Sequence, residues 1–204
     1  MELDRKSVRE FTELIASKAP FPGGGGASAA VAAIGIALGD MVGELTVGKK
    51  TYAGVESEIK EIMEHAQNLR KRFLELINKD AEDFEPLSKA YAIPKDDPNR
   101  DSEMERCLRL AAGAPLEIFD LSCEAIELFM PLAEKGSKLA VSDAATGVVF
   151  CWAAMYGAAV NVKVNTKLMK DRAYAEEINK HIDDSMQKFW PIAEKTYEFV
   201  YSKF

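Results

Sequence analysis

Residues 20–46 read Pro-Phe-Pro-Gly-Gly-Gly-Gly-Ala-Ser-Ala-Ala-Val-Ala-Ala-Ile-Gly-Ile-Ala-Leu-Gly-Asp-Met-Val-Gly-Glu-Leu-Thr. Ordering four successive glycines is costly, because glycine surrenders more backbone freedom on folding than any other residue. The residues after them predict a helix of small side chains from Ala27 to about Thr46. Gly35, Gly39 and Gly43 recur every four positions and share one face, which lets a second backbone come close. The uncharged run Gly26–Gly39 stops at Asp40, too short to cross a bilayer, so the helix is expected to be buried in protein. A helix start presents unpaired N–H groups and partial positive charge. Glycines set before it either admit a ligand's anionic or polar edge or make a tight connection between crowded helices.

Outward from this element the 3.6-residue period dominates, and alternating strand patterns are scarce. Residues 4–17 predict a short amphipathic helix with Val8, Phe11, Leu14 and Ile15 on one face, broken by Pro20 and Pro22. Residues 55–91 carry Ile59, Ile62, Met63, Ala66, Leu69, Phe73, Leu76 and Ile77 at helical spacing, and Pro86 is expected to kink or divide that helix. Residues 92–101 read as a loop. A helix follows from about 102 to 134, kinked at Pro115 and ending near Gly136. A second small-residue helix runs to about 165, with Ser142 or Asp143 as its expected cap. Its apolar run Ala144–Val160 is rich in Ala and Gly and is likewise expected to lie inside protein. The last helix covers roughly 171–202 and contains Pro191. The expected fold is an all-α bundle of long, kinked antiparallel helices.

The 204 residues suit one domain, residues 1–204. A formal charge of −7 argues against a nucleic-acid partner, which needs clustered Lys and Arg. Two histidines leave little basis for a metal site, and none is expected. Three scattered cysteines, none in a CxxC, fit a reducing cytoplasm. The charged N-terminus lacks the apolar segment of a signal peptide, and no membrane partner is expected.

Gly43-Glu-Leu-Thr-Val-Gly48-Lys49 matches the start of a P-loop, but Lys50 stands where Ser or Thr would hold magnesium, and no strand precedes it. Gly24-x-Gly26-x-x-Ala29 also lacks the βαβ unit of a dinucleotide fingerprint. Lys49, Lys50 and Tyr52 form a cationic spot in an acidic protein; it either receives an anionic substrate or complements a helix C-terminus. Asp80 and Asp83 share a helix face with Leu76, Ile77 and Leu87. A carboxylate set among apolar neighbours is partly desolvated, which suits a general acid or base; the alternative is a solvated helix end. Asp143 opens a nearly charge-free helix and Asn161 and Asn165 close it. Such polar groups need partners, either helix caps and bridges or a ligand.

Taken in order, these stretches resemble the cyclodeaminase/cyclohydrolase family. Pro22-Gly23-Gly24-Gly25, a small-residue helix and Leu45-Thr46-Val47-Gly48-Lys49-Lys50-Thr51-Tyr52 look like its signature. Asp80-Ala-Glu-Asp83-Phe84 with Ala90-Tyr91 and Pro94-Lys95, Pro115-Leu116-Glu117-Ile118, Ser142-Asp143 and Gly157–Asn165 resemble its later elements, so the likeness covers nearly the whole chain. Gly26 departs from the family's usual Ser, and Ser137, Lys138 and Leu139 replace its usual asparagines. No formiminotransferase domain is read, so the coupled reaction is not expected.

The resemblance implies a homodimer that binds a tetrahydrofolate derivative, polyglutamylated or not, and needs no other cofactor. It implies hydrolysis of 5,10-methenyltetrahydrofolate to 10-formyltetrahydrofolate. Alternatives are cyclodeamination of 5-formiminotetrahydrofolate with release of ammonia, and a folate-binding helical protein without turnover. Carried onto this chain, Asp80 or Asp83 is the expected base, with Asp143 as second candidate. Lys49 donates to the leaving nitrogen or pairs with a glutamate tail. Gly23, Gly24, Gly25 and Gly26 meet the folate's polar edge behind Pro22. Asn161 and Asn165 bond the pterin, and Lys50, Tyr52, Tyr91 and Ser142 complete the expected contacts.

Overall fold

The computed structural model describes residues 2–204. Among them no strand occurs, and six α-helices follow one another: α1 Val8–Ile15, α2 Gly24–Glu44, α3 Glu56–Ala90, α4 Arg100–Lys135, α5 Val141–Thr166 and α6 Arg172–Tyr201. The expectation of an all-α bundle of long antiparallel helices holds. Successive helices reverse direction, because pairs far apart in sequence meet in opposite order. Glu58 pairs with Lys135 and Arg72 with Glu117 across α3 and α4. Asn165 bonds the Ala111 carbonyl across α5 and α4. On α6, Asp183 pairs with Lys163 of α5 and His181 with Asp120 of α4.

Local chemistry accounts for where several helices begin. Ser7 and Glu10 form a reciprocal capping box, so α1 starts at Val8 and not at residue 4; a single 3-10 turn, Leu3–Arg5, precedes it. Asp171 caps α6 through the Tyr174 N–H. Ser142 and Asp143 do not cap α5. A 3-10 turn at Lys138–Ala140 leads straight into the helix, which places both in its first turn. Pro86 does not divide α3, and α4 runs through Pro115 and Pro131. A proline removes one ladder bond, and the packed turns on either side hold the helix across it.

The core is built from Phe73, Phe119 and Phe129 with Ile and Leu neighbours, all buried. The small residues do their work where α2 crosses α5. A β-carbon on Gly147 would lie 2.4 Å from Phe129 Cε1 and 2.8 Å from the Gly35 carbonyl oxygen. Gly147→Ala is therefore expected to destabilise the fold by about 1–3 kcal/mol, the overpacking cost outweighing alanine's helix preference. Thermal unfolding followed by circular dichroism checks this: a melting temperature equal to or above wild type would refute the close-packing account.

Candidate functional site

A cavity of about 240 Å³ opens at the N-terminal end of α2, between the C-terminal half of α3, the middle of α4 and the C-terminal turns of α5. Gly24, Gly25 and Gly26 are not a loop before the helix. They are its first turn, with Gly23 as N-cap. The reason for the glycines is visible from their surroundings. A β-carbon on Gly25 would fall 2.1 Å from Asp80 Oδ1, and one on Gly24 would fall 2.7 Å from Asn161 Nδ2. A carboxylate from α3 and a carboxamide from α5 occupy the space that side chains on α2 would fill.

Asp80 sits on the inner face of α3, one residue before buried Ala81 and three after buried Ile77. Its Oδ2 accepts from the Gly26 N–H at 2.8 Å. That N–H is one of the donors a helix start leaves without an intrahelical acceptor, and the helix dipole favours an anion there. Burial nevertheless dominates: desolvation pushes the Asp80 carboxyl up to about 6, the Gly26 hydrogen bond opposes it, and the nearby Asp83 charge adds to the rise. Asp83 itself accepts from Lys79 Nζ at 2.5 Å and does not line the cavity. Of the two aspartates one turn apart, Asp80 is the one that faces the space.

Two carboxamides face Asp80. Asn161 Nδ2 donates to the Gly157 carbonyl at 2.8 Å, and Asn165 Nδ2 donates to the Asn161 carbonyl at 2.9 Å and the Ala111 carbonyl at 3.3 Å. Both side-chain nitrogens are thus committed to backbone acceptors. Turning either amide over would set oxygen against oxygen, so each Oδ1 remains as an acceptor for the cavity. The site offers one half-buried carboxylate with a raised pKa, two oriented amide acceptors and a helix N-terminus.

The residues expected from the sequence divide into two groups. Gly23, Gly24, Gly25, Asp80, Tyr91, Asn161 and Asn165 line the cavity. Gly26 holds Asp80, and buried Pro22 packs behind the glycine turn. Lys49, Lys50, Tyr52, Ser142 and Asp143 are elsewhere. Lys49, Lys50 and Tyr52 follow the C-terminal end of α2, about 30 Å from Gly24 along the helix. Asp143 is 18 residues before Asn161 on α5, about 27 Å away. Within one chain Asp143 is too distant to substitute for Asp80, and Lys49 too distant to donate beside it. The Tyr52 hydroxyl accepts from the Lys138 N–H at 3.1 Å, tying its turn to the exit of α4.

The cavity also contains Phe21, Phe84, Pro115 and Val164, which were not expected there. Phe84 had a signal, since it lies four residues after Asp80 on the same face. Pro115 had one as well, a buried proline inside an apolar helix. Phe21 and Val164 reach the cavity only through the packing of their segments. Among the described residues no three His, Cys, Asp or Glu side chains cluster as a metal site would require.

Residues 7–184 match the family model described as formiminotransferase-cyclodeaminase. The chain is 37% identical to a methenyltetrahydrofolate cyclohydrolase of Methylorubrum extorquens over 97% of both sequences. It is 32% identical to a formimidoyltransferase-cyclodeaminase of Dictyostelium discoideum, spanning 89% of this chain and 35% of that one. Its fold superposes on the crystal structure of a formiminotetrahydrofolate cyclodeaminase from Thermotoga maritima with a TM-score of 0.83 and 31% identity, covering 98% of this chain and 96% of the other.

Proposed function

The chain belongs to the formiminotransferase-cyclodeaminase family, and from that premise we propose that it hydrolyses 5,10-methenyltetrahydrofolate to 10-formyltetrahydrofolate, with Asp80 as the general base. The observation that carries this reading is the half-buried carboxylate at the glycine turn, its pKa raised to about 6, facing two oriented amide oxygens. The 37% identity to a cyclohydrolase, against 31% and 32% to the two cyclodeaminases, favours this reaction over cyclodeamination.

The substrate carbon is part of a cationic amidinium between N5 and N10. Water adds to that carbon as Asp80 takes one of its protons, giving a neutral tetrahedral intermediate. The carbon–N5 bond then breaks as Asp80 returns its proton to N5, and the hydroxyl gives up its own proton to solvent as it becomes the formyl carbonyl on N10, so each turnover releases one proton. Ionised Asp80 also stabilises the cation as it docks. The Asn161 and Asn165 oxygens accept from the N–H edge of the pterin, and Tyr91 stands at the exposed edge of the site. The step changes no oxidation state, so the reading asks for no redox group and for no cofactor beyond the folate. It places the protein in a reducing cytoplasm, supported by three buried, unbridged thiols, and takes a homodimer as the working form.

Incubation with 5,10-methenyltetrahydrofolate, followed through loss of its ultraviolet chromophore, tests the proposal. Decay faster than a protein-free control, with 10-formyltetrahydrofolate as product, is expected. No acceleration by folded protein would refute it, and ammonia release from 5-formiminotetrahydrofolate would then assign the same cavity to cyclodeamination. The pH profile is a further expectation. The base works ionised, so kcat/KM should rise with pH through about 6 and level off above it. Below that pH it should fall about tenfold per unit. A flat profile between pH 5 and 8 would exclude Asp80 as the base.

A further inference from the structure

We infer that Pro115 is a positioning residue for the cavity and acts through Asn165. By withholding an N–H from the Ala111 carbonyl, it holds the Asn165 amide with its oxygen towards the cavity, and so selects a substrate whose bound edge donates. That this edge belongs to a pterin rests on the proposed folate chemistry; the orientation of the amide does not. In an α-helix each N–H bonds the carbonyl four residues earlier. Proline has no N–H, so Pro115 leaves the Ala111 carbonyl of α4 without its helical donor. Ala111 is only 4% exposed, and a buried acceptor left unmade is costly. The replacement donor comes from another helix: Asn165 Nδ2 of α5, at 3.3 Å.

Among the described residues four prolines lie inside helices, and their positions single out Pro115. Pro86, Pro131 and Pro191 stand four residues after Glu82, Glu127 and Gln187, exposed positions where water can serve the backbone. Of the four, Pro115 alone follows a buried residue at that spacing, and there a cavity side chain supplies the donor. Asn165 is itself only 8% exposed, and its amide hydrogens are spent on the Ala111 and Asn161 carbonyls. Turning the amide over would set its oxygen against both and leave the Ala111 acceptor unmade. With an N–H at residue 115, Ala111 would be satisfied within α4. The amide would then be held only by the Asn161 carbonyl, which the α5 ladder already serves. Asn161 is held differently, through the Gly157 carbonyl of its own helix. Proline is the poorest helix former, so its place inside the 36-residue α4 calls for a gain elsewhere. That gain is an acceptor that cannot turn into a donor.

A thermal-unfolding cycle without folate tests the tie between the three residues. Pro115→Ala is expected to raise the melting temperature by about 2–4 °C more in an Asn165→Ala background than in the wild type. Only in that background does the Ala111 carbonyl wait for the new N–H. An equal or smaller rise would overturn the tie. Kinetics with 5,10-methenyltetrahydrofolate tests the positioning. Pro115→Ala should raise KM by about 3–10-fold and leave kcat within about twofold. Its kcat/KM should still rise through about pH 6, because Asp80 keeps the Gly26 N–H. Added to Asn165→Ala, Pro115→Ala should raise KM no further. Pro131→Ala, the same exchange in the same helix but outside the cavity lining, should keep the wild-type KM. An unchanged KM for Pro115→Ala, an equal rise for Pro131→Ala, or additive effects with Asn165→Ala would overturn positioning through Asn165. A wild type without turnover would refute the folate reading alone, and the unfolding cycle would still decide the tie.

Discussion

Asp80→Asn is expected to lower turnover by about 10²-fold or more while making the protein more stable at neutral and alkaline pH. The carboxamide keeps an oxygen for the Gly26 N–H and keeps the shape of the side chain, so the cavity is preserved and only the base is lost. The stability gain follows from the sign of the pKa shift. Folding raises the Asp80 carboxyl from 3.8 to about 6, so the folded state holds its proton more tightly than the unfolded state. The stabilisation this confers is complete below pH 3.8 and is lost as pH rises through about 6. Above that, the protein carries a half-buried charge that folding disfavours, and asparagine removes it. Urea unfolding at pH 8 should show a gain on the order of 1–2 kcal/mol, shrinking towards zero at pH 4. Wild-type turnover in the variant would reject Asp80 as the base. A loss of stability at pH 8 would mean that the carboxylate's hydrogen bond, not its desolvation, dominates.

Gly25→Ala is expected to be as damaging to turnover as loss of the carboxylate itself, without removing any reactive group. The new methyl would lie 2.1 Å from Asp80 Oδ1 and 2.6 Å from its Cγ, a clash no rotamer of alanine relieves. Either Asp80 swings away from the Gly26 N–H or the first turn of α2 moves. Misplacement by about 1 Å is enough to cost about 10²-fold in rate. Overpacking of this kind costs about 1–3 kcal/mol, lessened by the better helix propensity of alanine. Steady-state kinetics with thermal unfolding separates the two effects. The account requires kcat to collapse while most of the fold's stability survives. Gly113→Ala is the control, because that glycine is exposed on α4, lies outside the cavity lining, and a β-carbon there meets nothing within 4 Å. It should leave turnover within a few-fold of wild type, and equal damage at both positions would refute the steric explanation.

The close approach at Gly25 also explains why the glycine run was only half legible. A run of glycines before a small-residue helix signals that something comes near the backbone, and a ligand or another helix was the choice the sequence left open. In the structure the visitors are the protein's own Asp80 and Asn161, and the ligand space lies beyond them. The boundary was misjudged for the same reason. Propensity argues against glycine inside a helix, but here three glycines form its first turn because no larger residue leaves room for the carboxylate.

Local information was enough for the helical class, the bundle and the order of its elements, because the 3.6-residue period and the Pro and Gly punctuation act over a few residues. It was also enough to single out Asp80, Asn161 and Asn165 as polar residues on apolar helices that had to be explained. It did not separate Asp80 from Asp83, three residues apart on one face; the packing of α2 against α3 did that by setting one carboxylate on the Gly26 N–H at the cavity and leaving the other to Lys79. Nor did it show that Lys49 and Asp143 lie a helix length from the cavity, since order along a chain carries no information about which ends of antiparallel helices coincide. The chain's own residues specify helices, faces and the chemical groups available for a site. Which of those groups share one cavity, and at what pKa, is decided by tertiary packing, because both depend on distances and desolvation between segments more than fifty residues apart.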